Sequence, residues 1–128
     1  MLKLQSKPGN VSYVEPFVEQ LVNRYNISPD KQCNILISLT EAVTNAIVHG
    51  NCQEENKTVQ VVLKKEKEWL AVRVTDEGSG FDYSNLPDPT SADNICKCGG
   101  RGVFLMRALS DRLIFRNNGS TVEMQFKI

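Results

Sequence analysis

With 128 residues, 41% of them hydrophobic and 23% charged, the chain has the size and balance of a globular domain that buries about two thirds of its unfolded surface. Its 15 Lys and Arg residues match its 15 Asp and Glu residues, which removes the general positive field that draws nucleic acid or anionic lipid. No apolar run is long enough to cross a bilayer, and MLKLQSKPGN lacks the apolar stretch of a secretory signal, so a cytoplasmic protein touching neither membrane nor nucleic acid is expected.

MLKLQSK alternates apolar and polar side chains and predicts an opening strand, closed by Pro8, Gly9 and Asn10. Across residues 11–25, Val14, Phe17, Val18, Leu21, Val22 and Tyr25 recur at helical spacing. NISPDKQ breaks this first helix and offers Ser28 or Asp30 as the next N-cap, with Pro29 suited to the first turn. A long second helix follows to about His49, and Gly50 with Asn51 is expected to stop it. KTVQVVLKKEKEWLAVRVTDE predicts two strands around a charged turn at residues 64–68. Residues 78–102 are rich in Gly, Pro, Ser, Asp and Asn and read as a loop, long enough to be functional or disordered. VFLMRALSDRL returns to helical spacing, and LIFRNNGSTVEMQFKI predicts a hairpin turning at Asn117, Asn118 and Gly119. This order predicts an α/β (α+β) two-layer sandwich, a mostly antiparallel mixed sheet with helices on one face. No repeat or linker interrupts it, so residues 1–128 are expected to form a single domain.

Cys33, Cys52, Cys96 and Cys98 form no C-x-x-C pair, and in a reducing compartment they are expected to be free thiols. His49, Cys52, Cys96 and Cys98 together have zinc-ligand chemistry, but C-x-C is poor structural-zinc spacing and nothing else in the sequence supports a site.

The second helix carries two rows of side chains. At 100° per residue, Ile35, Leu36, Leu39, Ala42, Val43, Ala46 and Ile47 form an apolar stripe expected to face the sheet. Asn34, Ser38, Glu41, Asn45 and His49 form a second row. A solvated face is one reading of it. Such faces favour Lys, Glu, Gln and Arg over Asn and Ser, whereas short polar groups on a rigid element suit a site. VRVTDEGSGFD puts Asp76 at a strand end, where a carboxylate can accept from an exocyclic amine. Gly78 and Gly80 follow and permit close approach to a flat ligand, although an Asp-Glu-Gly turn by itself is commonplace. In GGRGVFLMRAL, Gly99, Gly100 and Gly102 lead into a helix whose free amides can bind phosphate, with Arg101 as a fixed cation. There is no G-x-x-x-x-G-K-[ST], and no G-x-G-x-x-G follows the first strand, so neither a P-loop nor a dinucleotide fold is indicated.

Taken together, EAVTNAIVHGN, DEGSGFD and GGRGVFLMRALSD resemble the N box and the two glycine boxes of the GHKL ATPase superfamily, which adopts the Bergerat fold. The resemblance spans residues 41–111. Through the HG that ends the N box and the GGRG that opens the last helix, the chain looks most like the small serine/threonine kinases that act as anti-sigma factors or in related partner-switching systems. The resemblance implies ATP and Mg²⁺ as cofactors. It implies that Asn45 gives its side-chain oxygen to Mg²⁺ and that Glu41 is the catalytic base or water-orienting carboxylate beside the γ-phosphate. Asp76 would accept from the adenine amine, with Gly78 and Gly80 closing on the base and Thr121 helping to hold that site. Gly100, Arg101 and Gly102 would hinge the loop onto the phosphates, and residues 82–99 would form an ATP lid. His49 fits the family pattern without an assignable chemistry, and it can equally cap the helix C-terminus. Cys96 and Cys98 are not required by that pattern.

The function so implied is phosphorylation of a small antagonist protein of the anti-anti-sigma type by a kinase that otherwise sequesters a sigma factor or another target. A homodimer built around the first helix is expected. Two other classes stay open from sequence. One is a nucleotide-dependent binding module with little catalysis. The other is a detached histidine-kinase catalytic domain, for which the sole histidine, His49, lies inside the N box and leaves no phosphoacceptor in the chain.

Overall fold

A computed structural model describes residues 2–78 and 100–128. Gly80, residues 82–99 where a lid is expected, and the two cysteines among them lie outside the described residues, and of Gly100, Arg101 and Asn118 only the backbone is described. The elements in chain order are β1 (Leu2–Gln5), α1 (Val14–Tyr25), α2 (Pro29–Asn45), β2 (Thr58–Glu66), β3 (Trp69–Thr75), α3 (Gly100–Leu109), β4 (Arg112–Arg116) and β5 (Thr121–Lys127). The strands pair in the order β1-β2-β3-β5-β4. Every described pair is antiparallel, in keeping with the mostly antiparallel sheet expected.

One face of the sheet holds the core. Val59, Val61, Leu70, Val72, Val74, Met124 and Phe126 are buried there with Ile35, Leu39 and Val43 of α2 and Ile47 just beyond it. The expected α2 stripe is thus the packed face, with Leu36 only partly buried against it. Val14, Val18 and Leu21 of α1 and Val103 and Met106 of α3 complete the cluster. Burying each such aliphatic side chain contributes roughly 1.5–3 kcal/mol, which is what fixes the helices to one side.

Boundaries shift where backbone chemistry overrides periodicity. Pro8–Tyr13 forms a 3₁₀ segment, so α1 begins at Val14. Asn26 ends α1 in a left-handed conformation (φ 52°), a role its short polar side chain tolerates. Ser28, not Asp30, is the α2 N-cap and accepts from the Lys31 amide at 3.5 Å, with Pro29 in the first turn. The β2–β3 turn is tighter than expected. Pairing continues to Glu66 opposite Trp69, leaving only Lys67 and Glu68 outside, and Lys67 takes the positive φ (52°) that a two-residue turn needs. The last hairpin turns at Asn117–Gly119 as predicted.

Candidate functional site

The site grows from the C-terminal end of α2. Gly50 and Asn51 do not stop this helix with a left-handed residue. The helix widens into a π turn over Ala46–Gly50, and the chain reverses at Cys52 (φ 51°) and Gln53 (φ 58°). Such π turns occur often at functional sites, because they reset which side chains and carbonyls face a neighbour. Here the neighbour is Asp76 at the end of β3. A Cβ on Gly50 would overlap the Asp76 carboxylate, and one on Gly78 would overlap the Gly50 carbonyl oxygen. Both glycines therefore serve close approach. Asp76 Oδ1 accepts from the Gly78 amide at 2.8 Å, while the Asp76 amide donates to the Ser120 carbonyl at 2.9 Å. Burial pushes the Asp76 carboxyl above the ordinary carboxylate range, against the opposing Gly78 hydrogen bond and the Lys57 charge.

Roughly 7 Å back along the helix lies the second centre. α3 packs against α2, with Gly102 in its first turn facing Asn45 and Glu41. An added Cβ at Gly102 would lie 2.7 Å from the Asn45 amide nitrogen and 3.1 Å from Glu41 Oε2. Lys31 and Asp111, 3.5 Å apart, join α2 to the chain beyond α3 at the opposite end. Glu41 and Asn45 are half-buried, and neither side chain makes a hydrogen bond or ion pair among the described residues. Half-buried polar groups left unpaired beside a helix N-terminus are free to meet a ligand. The amide oxygen of Asn45 is a hard donor suited to Mg²⁺, and the first amides of α3 suit the anion such a cation accompanies.

The rest of the polar row disperses. Ser38 is fully buried and its Oγ has no hydrogen-bond partner, Asn34 is half-buried, and His49 is exposed. Cys33 and Cys52 are free thiols, and the Cys52 Sγ lies 3.7 Å from the His49 carbonyl oxygen. Among the described residues no group of three His, Cys, Asp or Glu side chains can hold a metal ion, and Cys96 and Cys98 lie outside them.

Thr121 faces away from the core. It sits at the correct end of β5, opposite Thr75, but strand alternation turns it away from the face that Val122 and Met124 fill. Its hydroxyl is bonded to Thr75 Oγ1 (3.2 Å) and accepts from the Asn117 amide (3.3 Å). The backbone link to Asp76 on this side is the carbonyl of Ser120, the residue before β5.

Sequence reasoning missed Asn51. Its fully buried side chain donates to Ser6 Oγ (2.8 Å) and the Thr58 carbonyl (3.0 Å) and accepts from the Glu77 amide (2.7 Å). One amide thus ties the end of β1, the start of β2 and the segment after Asp76 to the π turn. Glu77 returns the tie by accepting from the Thr58 amide. An Asn beside a helix-ending Gly signals only a stop, because its partners are distant in sequence.

Comparison with known proteins agrees with this architecture. A family model described as "Histidine kinase-like ATPase domain" matches residues 4–126. The chain is 27% identical over 130 residues to a protein named serine-protein kinase RsbW from Bacillus subtilis (strain 168), covering 96% of this chain and 81% of that one. The protein of the same name from Listeria innocua is 28% identical over 130 residues, covering 96% and 83%. Among solved structures, the histidine kinase domain from the Erythrobacter litoralis EL346 blue-light activated histidine kinase has the same fold, with a TM-score of 0.57 and 18% identity. That match covers 94% of this chain, which spans 60% of the other.

Proposed function

The chain belongs to the histidine kinase-like ATPase domain family, and from that premise we propose that it is an ATP-dependent serine/threonine kinase of a small antagonist protein, acting as an anti-sigma factor or partner-switching regulator. The observation that carries the reading is the seating of Gly102 against both Glu41 and Asn45, two polar side chains with no other described partner. The similarity to proteins named serine-protein kinase supports a seryl acceptor over a histidyl one.

In this reading Asp76 accepts from the adenine amine while Gly78, with Gly80, lets the backbone close on the base. Asn45 would hold the Mg²⁺ that accompanies ATP, which would supply positive charge beside the phosphates. Gly100, Arg101 and Gly102 present the amides and cation of the α3 N-terminus to the phosphates. The acceptor hydroxyl attacks the γ-phosphorus, its proton passes to the Glu41 carboxylate, and ADP departs. Both residues share a helix edge because metal and nucleophile must meet the same phosphoryl group. The partners in this reading are an anti-anti-sigma-type phosphoacceptor, a sigma factor as the sequestered target, and a second copy of the chain paired around α1. The setting is the cytoplasm, and no helix among the described residues is long and apolar enough to cross a membrane.

The test combines the protein with radiolabelled ATP, Mg²⁺ and candidate antagonist proteins encoded nearby, and maps the labelled residue. Wild type is expected to label a serine or threonine. Glu41→Ala should keep nucleotide binding and lose about 10²–10⁴ in transfer rate, as for a deleted general base. Asn45→Ala should weaken Mg²⁺-dependent binding itself. Full transfer by Glu41→Ala refutes the catalytic role. ATP binding by wild type without transfer to any acceptor makes the chain a binding module.

A further inference from the structure

Strand alternation gives the sheet a second face. The pattern that turns Val72 and Met124 inward turns Ala71, Arg73, Glu123 and Gln125 outward. These residues line an open groove of about 670 Å³ across β2, β3, β5 and β4. Five cationic side chains border it, Lys64, Lys67, Arg73, Arg112 and Arg116, against the two carboxylates Glu66 and Glu123. In a chain whose charges balance overall, that is a local concentration of positive charge. Lys64 and Arg73 remain 73% and 47% exposed.

We propose that this groove docks an acidic segment of a partner protein. Glu123 is already held by Arg73 at 2.8 Å and by Gln125 at 2.6 Å, so it fixes the Arg73 guanidinium on the groove floor. The Arg112 guanidinium stacks 5.1 Å from the Trp69 ring centroid. Stacked and hydrogen-bonded guanidinium groups are preorganised, so little rotamer freedom is lost when a carboxylate takes their remaining donors. Ala71 offers apolar floor, and Val62, opposite Arg73 on β2, is 42% exposed. An extended or helical segment that alternates carboxylates with small apolar residues matches that surface.

Two other occupants fit less well. A symmetric pairing with a second copy would set this patch against itself, cation facing cation. Nucleic acid would find the groove's aromatic ring already covered by Arg112, leaving no platform on which bases can stack.

The probe is a labelled decapeptide of alternating Glu and Val, with its Gln counterpart as control and oligo-dT as competitor. Backbone amide shifts of the isotope-labelled full chain locate the contact. The Glu peptide is expected to shift residues 69–73 and 112–116, to bind more weakly as salt rises, and to lose about tenfold or more in affinity with Arg112→Glu or Arg116→Glu. Arg112→Gln, which adds no new charge, should fall between. Equal shifts with both peptides, or none, overturn the proposal. So does tighter binding of oligo-dT at the same amides, which assigns the face to nucleic acid. Sedimentation showing a dimer that Arg112→Glu dissociates overturns it in favour of a second copy.

Discussion

Burial holds the Asp76 carboxyl above the ordinary carboxylate range, so ionising it near neutral pH costs the folded protein stability. The sign follows from proton linkage. The folded state binds this proton more tightly than the unfolded state, so the associated stability is complete below the unfolded pKa and is lost as pH rises through the folded one. Asp76→Asn retains an acceptor for the Gly78 amide and removes the charge. Its melting temperature should exceed wild type at neutral pH, and the difference should vanish as acid protonates Asp76. The same substitution should weaken ATP binding by about 1–3 kcal/mol, the worth of a charge-assisted bond to the base. Calorimetry of both reactions tests the pair, and unchanged ATP affinity removes Asp76 from the base site. Asn51 poses the opposite case. Asn51→Ala removes the partner of the buried Ser6 hydroxyl and of the part-buried Glu77 amide and Thr58 carbonyl, and a loss of about 1–3 kcal/mol in urea unfolding is expected.

The elements differ in how much of them was legible. The apolar stripe of α2 and the alternation of β3 and β5 were plain, because burial of one face imposes a period that the sequence must carry. The convergence of Glu41, Asn45 and Gly102 was legible only through family resemblance, since nothing in the spacing says that α3 returns to α2. Ser38 shows the limit of face counting. It shares a row with Glu41 yet is fully buried, because α2 is covered on more than its sheet-facing side and a helical wheel does not record a second neighbour. The π turn was not legible either, since it answers the close approach of Gly50 to Asp76. Ser38 also yields an element-level prediction. Its hydroxyl is buried without a partner, and alanine favours the helix, so Ser38→Ala should stabilise the protein by about 1 kcal/mol in thermal unfolding. A loss of stability would show that the hydroxyl has a role.

At the scale of the whole molecule, the two-layer design separates the core from the candidate site along the same sheet. Phe126 lies fully buried opposite Leu70, while Asp76 follows the far end of β3, beyond Thr75 and Thr121. Five residues of strand separate Phe126 from Thr121, roughly 17 Å. Phe126→Ala should therefore cost about 3–5 kcal/mol of global stability, a large share of the total, without disturbing the site. Gly102→Ala should do the reverse. Alanine is the better helix residue, which offsets crowding against the movable ends of Asn45 and Glu41, so stability should change little while the proposed seat for Mg²⁺-ATP is filled. Linkage distinguishes the two. A ligand that binds only the folded state adds about 2.7 kcal/mol at a hundredfold excess over Kd, wherever the core has been weakened. Mg²⁺-ATP should thus stabilise wild type and Phe126→Ala by the same amount in denaturant titrations and leave Gly102→Ala unmoved. Equal stabilisation of Gly102→Ala would mean that nucleotide does not bind between α2 and α3.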